Sequence, residues 1–232
     1  VDVLRRTLAS LRIQLPAAAF KMDVRPLLKL VLNAFLGSAT GLVDMCVEHL
    51  PSAAEASKAA TTTAPPDSVL ARAIERCDAQ GPLLIQIAKV YPTSDATEFR
   101  AFGRVLSGTV SCGQSVKVLG PTYTPEDEED MAVETVSGVY VAEARYAVHA
   151  PSVPAGNWVL LSGIDATIAK SATVCDTTLP VTDTYVLRPI VHMTESVLKV
   201  AIEPLRPAEL PKMLDGLRKV NKCYPLVSTR VE

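Results

Sequence analysis

Cysteine, histidine and aromatic residues are scarce in this chain, and each scarcity removes a class of function. The five cysteines, Cys46, Cys77, Cys112, Cys175 and Cys223, are odd in number and far apart, with no Cys-x-x-Cys pair. Neither a disulfide framework nor a zinc site is expected from them, and a reducing compartment is. The three histidines, His49, His149 and His192, are isolated, and none has a Ser, Cys or carboxylate partner at a diagnostic spacing. Nucleophilic catalysis therefore lacks a candidate. Aromatics make up 5% of the residues, too few for an extended base-stacking platform. The net charge is only -2, so any RNA contact has to come from a local basic patch rather than long-range attraction. Long apolar runs are missing too: Leu27 to Leu36 is interrupted by Lys29 and Asn33, too short and too polar to cross a bilayer. The chain opens Val1-Asp-Val-Leu-Arg-Arg6 without an initiator Met or a secretory core, and both ends read as internal to a longer sequence.

Equally missing is a run of the form Gly-x-x-x-x-Gly-Lys-Ser/Thr, the phosphate cradle of most nucleotide hydrolases. Asp78-Ala-Gln-Gly81 matches the loose Asp-x-x-Gly of switch GTPases, and Asn221-Lys222 the start of a guanine-reading motif. Without the cradle both read as a turn and a helix end. No catalytic, cofactor-binding or metal-ligating residue is expected in this chain.

What is present is enough apolar material, 48% of 232 residues, to bury one or two cores. Residues 1–50 read as helices. In Arg25 to Gly37 apolar positions recur at helical spacing, with Pro26 suited to the first turn and Gly37 to the stop. A second helix starts near Thr40, presents Leu42, Val43, Cys46, Val47 and Leu50, and ends at Pro51. Residues 51–66 are small, polar and proline-bounded, and predict a mobile linker. After a short helix at about Ser68 to Cys77 the pattern changes to six short strands: Leu83–Tyr91, Phe99–Leu106, Ser115–Leu119, Val133–Val141, Trp158–Leu161 and Ala166–Val174. Their spacing predicts a small closed barrel within residues 67–190. Val153-Pro-Ala-Gly-Asn157 supplies a tight turn before Trp158. From residue 191 the pattern becomes strand, helix, strand, with Val197–Ile202, Ala208–Cys223 and Leu226–Val231. That is half of a ferredoxin-like fold. The fold class is mixed α and β.

The acidic run Glu126-Asp-Glu-Glu-Asp130 lacks the spaced oxygen ligands of a calcium loop and reads as a solvated hairpin loop or a docking contact. Arg218, Lys219 and Lys222 gather at a helix end, where positive charge complements the dipole. One surface emerges from strand parity. Phe99, Ala101 and Val105 fall on one face of their strand, and Arg100, Phe102 and Arg104 on the other. Two arginines flanking an aromatic suit a phosphate or a protein carboxylate. The alternative is an ordinary solvated face with Phe102 covered by a neighbouring domain. Gly103 between them suits a bulge or a close backbone approach.

Three passages resemble the elongation-factor-two superfamily of translocation-type GTPases. They are Pro92-Thr-Ser-Asp95 with Phe102-Gly-Arg-Val-Leu-Ser-Gly-Thr109, Val153 to Asn157 with Gly163-Ile-Asp165, and Glu209 to Lys219. Tyr123 to Asp130, Gly41 to His49 and Lys212 to Lys222 look more like the spliceosomal branch, the GTPase of the U5 small nuclear ribonucleoprotein. Pro92-Thr-Ser-Asp95 leans instead towards the ribosomal factor. The resemblance implies that residues 1–50 are the helical exit of a nucleotide-binding domain, 67–190 the second-domain barrel, and 191–232 the start of a third, ferredoxin-like domain. It implies GTP and magnesium in the nucleotide-binding domain, a nuclear location, and three partners: the large central spliceosomal scaffold protein, U5 small nuclear RNA and the associated RNA helicase. The role implied is docking and regulation in pre-mRNA splicing. Two other readings are a piece of the ribosomal translocation factor and a free-standing barrel interaction module.

Overall fold

The computed structural model describes residues 2–37, 39–60, 68–126, 128–181, 184, 186–194 and 197–230. The chain divides into two compact units, Val1–Pro51 and Ser52–Glu232. In the first unit, helix α1 (Asp2–Ser10) is followed by a 3-10 turn at Ala17–Lys21, α2 (Val24–Leu36) and α3 (Thr40–His49). Gly37, at φ +63, ends α2 in a backbone region that favours glycine. Among the described residues of this unit Leu8 and Ala19 are buried, and Arg5 lies over the Phe20 ring at 5.2 Å. The apolar stripes of α2 and α3 are real but open: Leu28, Phe35, Leu42 and Val47 are all exposed.

The second unit opens with a difference from the expected linker. Ala53–Ala60 is a helix, α4. Ser52 Oγ accepts from Glu55 N, while the Glu55 carboxylate accepts from Ser52 N at 2.8 Å. This reciprocal capping box satisfies donors that would otherwise be orphaned at the helix start. The bond from Ser52 N, and a second from Ser52 Oγ to the same carboxylate, hold the Glu55 carboxyl below its ordinary value. Residues 61–66 of the expected linker lie outside the described residues. Helix α5 (Val69–Glu75) is capped by Ser68, whose Oγ accepts from Ala71 N, and buries Leu70, Ala71, Ala73 and Ile74.

Ten strands follow: β1 (Leu84–Pro92), β2 (Phe99–Ser107), β3 (Thr109–Ser111), β4 (Ser115–Leu119), β5 (Met131–Thr135), β6 (Gly138–Glu143), β7 (Tyr146–His149), β8 (Ser152–Pro154), β9 (Trp158–Ser162) and β10 (Ala172–Asp176). The main sheet has the order β5-β4-β10-β1-β2-β9-β6-β7, and β3 pairs with β8 in a separate ribbon. β5 and β6 are successive parts of the single run expected at Val133–Val141. β5 pairs with β4 and β6 with β9, while between them Val136 N donates to Gln114 O and Ser137 N to Ser162 O. The order therefore returns to its own starting run and closes a six-stranded barrel, with β7 added at the edge and the small ribbon contributing Val110 and Val153 to the same apolar core.

The sixth expected strand is shorter than its sequence suggests. It begins at Ala172 rather than Ala166, because Gly163, at φ +87, and a turn closed by Ile168 N to Asp165 O take up the preceding residues. Inside the barrel lie Ile85, Ile87, Val90, Ala101, Val105, Val116, Val118, Val139, Val159, Leu161 and Val174. α5 covers part of the outside, where Leu70 and Ile74 join Leu84, Leu106, Leu119 and Cys175 in a second apolar cluster. Burial there pushes the Cys175 thiol up to about 11.

Helix α6 (Leu210–Cys223) forms as its periodicity predicts, with Pro211 in its first turn. The two strands expected beside it do not form: 197–202 and the described part of 226–231 are not in any sheet. Val197, Val200 and Ile202 are exposed. A β-pattern alone does not make a strand, since half of its backbone bonds must be supplied by a neighbour. Instead α6 packs against the barrel near β1, with Cys223 buried in the barrel's apolar cluster.

Candidate docking face

A β-bulge builds the face that strand parity singles out. Ile87 of β1 is opposite Gly103 of β2, and Lys89 is opposite Phe102, so Ala88 is the extra residue. The shift lets Ile87 and Val90 both enter the core while Lys89 and Tyr91 turn outward. Gly103 is required here. A Cβ at this position would lie 2.5 Å from Gln86 O and 2.7 Å from Ile87 Cδ1.

Across the outside of the barrel the register then aligns Lys89 with Phe102, Phe102 with Leu160, Leu160 with Tyr140 and Tyr140 with His149, one residue from each of five adjacent strands. Arg104 is opposite Trp158, and Arg100 is opposite Tyr91. The Val153–Asn157 turn delivers Trp158 to its place. Gly156 sits at φ +86, Gly156 N donates to Val105 O, and Val105 N donates to Asn157 O.

The structure thus brings Arg100, Phe102 and Arg104 together and adds residues that parity within a single strand cannot reveal. Phe102 is stacked on Trp158 at 4.9 Å with 7° between planes, and the Tyr91 edge meets Phe102 at 5.8 Å. Arg100 lies 4.5 Å over Tyr140, Arg104 6.0 Å over Trp158, and Lys89 4.9 Å over Tyr91. The Tyr140 ring meets His149 edge-on at 5.6 Å. The ion pairs among the described residues are Lys219–Asp215 and Lys222–Asp165, so none of the three cations on this face is neutralised by a carboxylate. Arg100 Nε is buried without a hydrogen-bond partner. Arg104 is half-buried, while Trp158 and Tyr91 are exposed to 47% and 43%, which leaves an amphipathic surface open to solvent.

Other residues weighed in the sequence have structural tasks. Asp78 O accepts from Gly81 N and Gly108 N, and its carboxylate from Gln80 N. Lys222 does not simply sit at a helix end. Its Nζ donates to the Asp165 carboxylate at 2.9 Å and to the Asp165 carbonyl, and lies 4.7 Å over the Phe99 ring. Lys219 pairs with Asp215 one turn away. In the acidic run, the Asp130 carboxylate accepts from Thr122 N and Oγ1. No group of three or more His, Cys, Asp or Glu side chains suited to a metal ion occurs among the described residues.

Residues 99–175, from the first residue of β2 to within β10, match the family described as Elongation factor Tu domain 2. The chain is 46% identical over 229 residues to the 109 kDa U5 small nuclear ribonucleoprotein component GFL of Arabidopsis thaliana, covering 97% of this chain and 23% of that protein. It is equally similar, at 46%, to the 110 kDa U5 small nuclear ribonucleoprotein component CLO of the same plant. It is 45% identical over 236 residues to the pre-mRNA-splicing factor cwf10 of Schizosaccharomyces pombe, covering all of this chain and 24% of that protein. The chain therefore spans about a quarter of the length of the curated relatives it matches. Along nearly its whole length the chain is similar to U5 small nuclear ribonucleoprotein components and a pre-mRNA-splicing factor, and its barrel segment matches Elongation factor Tu domain 2.

Proposed function

We propose that this chain is the docking and scaffold portion of a GTPase-type regulator of pre-mRNA splicing. In this reading it couples the nucleotide state of the remaining protein to remodelling of the spliceosome in the nucleus. One observation carries it. Identity of 46% runs over 97% of the chain, through the helices before the barrel and the segment after it. A shared barrel alone would give similarity confined to residues 99–175. The relatives named are splicing components, so neither the ribosomal translocation factor nor a free-standing module gains support.

The chain's own part is mechanical. A closed barrel transmits force without bending, because every central strand is bonded on both sides and the apolar interior is filled. Its open outer face, with Arg100, Phe102 and Arg104, is the surface presented to a partner. GTP with magnesium belongs to the nucleotide-binding domain, where it supplies the switch between two states. Residues of this chain read that switch by being displaced with it. The partners in this reading are the central scaffold protein, U5 small nuclear RNA and the associated helicase.

The test is purification of the tagged parent protein at gentle salt, followed by sequencing of the RNA that accompanies it. Enrichment of U5 small nuclear RNA is expected. Ribosomal RNA alone overturns the reading.

A further inference from the structure

We infer that the outer face of β1, β2, β9 and β6 takes an acidic segment of a partner protein, with carboxylates set beside apolar or aromatic side chains, rather than RNA. The inference deepens the docking reading above and rests on it.

Base stacking needs free ring faces, and on this surface each ring already carries a side chain of the chain itself. Tyr140 carries Arg100, Trp158 stacks on Phe102 and has Arg104 at 6.0 Å, and Tyr91 carries Lys89. A base entering here competes with these contacts for ring surface. The cations are placed differently. A guanidinium lying on a ring keeps its in-plane N–H groups pointing sideways, positioned for a carboxylate fork. Arg100 lies 4.5 Å over Tyr140 with its Nε buried, so the donors offered to a partner are the terminal N–H groups of Arg100 and of the half-buried Arg104. Charge points the same way. Lys89, Arg100 and Arg104 form a small cationic spot on a chain of net charge -2, which complements a short acidic peptide but offers little to a polyanion arriving from a distance. The composition of the spot, Trp158 and two tyrosines beside two arginines, is that of a protein-interface hot spot.

Trp158 is the single tryptophan of the chain, so its fluorescence reports on this face alone. The chain is titrated with a dodecapeptide repeating Glu-Glu-Phe and, separately, with dodecauridylate. The peptide is expected to change Trp158 emission saturably. Replacing Arg100→Gln and Arg104→Gln together is expected to weaken its binding by about ten-fold, the scale of losing one hot-spot contact. Lys212→Gln, a cation lost from α6, is expected to change nothing. Arg104→Gln alone, in the more open part of the face, serves as a second variant, and circular dichroism confirms that each variant is folded. Tighter binding of the RNA than of the peptide, lost in the same variants, overturns the partner class and leaves the docking face standing. No change in emission with either probe, or peptide binding indifferent to both arginines, overturns the docking face itself. U5 RNA enrichment with the parent protein is unaffected by either result, so the two failures are distinguishable.

Discussion

Lys222 of α6 reaches across to Asp165 of the barrel, donating to its carboxylate at 2.9 Å and also to its backbone carbonyl. The residues lie 57 positions apart in sequence, and their side chains are 16% and 24% exposed. A second lysine does the same in the other direction. Lys170 Nζ donates to Pro225 O and Val227 O at 2.9 and 2.7 Å, closing the chain just after α6 onto the barrel. Lys222→Met keeps the aliphatic stem against Phe99 and removes the charge. It is expected to destabilise the second unit by about 1.5–3 kcal/mol, the range for hydrogen bonds to a charged group. Urea denaturation checks this, and residues 224–230 should become more susceptible to limited proteolysis. Unchanged stability and proteolysis would show that the helix is held by apolar contact alone.

Gly103→Ala tests the bulge. The added methyl group meets Ile87 Cδ1 and, closer still, the Gln86 carbonyl oxygen, a backbone atom that cannot swing aside. A destabilisation of about 1–3 kcal/mol is expected, as for overpacking elsewhere. Its signature beyond stability is a change in Trp158 emission, because displacing β1 from β2 disturbs the Tyr91, Phe102 and Trp158 stack. A variant with the parent's stability and spectrum would mean that the strands separate at this point without cost.

Asp95 tests the turn between β1 and β2 by pH. Its carboxylate accepts from Thr93 Oγ1 at 2.6 Å and from Thr97 Oγ1 at 2.6 Å, and these bonds, Thr93 first, lower its pKa from 3.8 to about 2. A depressed carboxylate favours the folded turn fully above the unfolded value and loses that contribution as pH falls towards the folded one. The turn should therefore keep its order down to about pH 3.8 and loosen between there and about 2. In Thr93→Val the Asp95 titration is expected to move back up towards 3.8, followed by NMR of its carboxyl carbon. A titration that stays low in the variant would assign the depression to Thr97 and the local backbone instead.

The barrel was largely legible because short strands with one buried face write their parity into the sequence. Phe99, Ala101 and Val105 are buried as the alternation requires, and Arg100, Phe102 and Arg104 share the opposite face. Less legible was anything that depends on a second chain segment. Trp158, Tyr140 and Tyr91 join the arginines only through the register of four strands, which no single-strand pattern contains. The strands expected at 197–202 and 226–231 have the right alternation but no neighbour in the described residues. α4 is a different kind of miss. Ser52-Ala-Ala-Glu55 is a capping-box signature present in the sequence, set within a segment whose small, polar composition points to disorder.

The run 131–143 serves one neighbour with its first half and another with its second, and so has to keep two registers at once. A one-residue slip that improved its fit to β4 would turn every side chain beyond Thr135 to the wrong side against β9. The chain is therefore forgiving on either side of this run and unforgiving within it. Length changes belong in the acidic segment before Met131 or at the Ala144–Arg145 tip, whereas a single residue inserted at Val136 or Ser137 would leave the cylinder open along one seam.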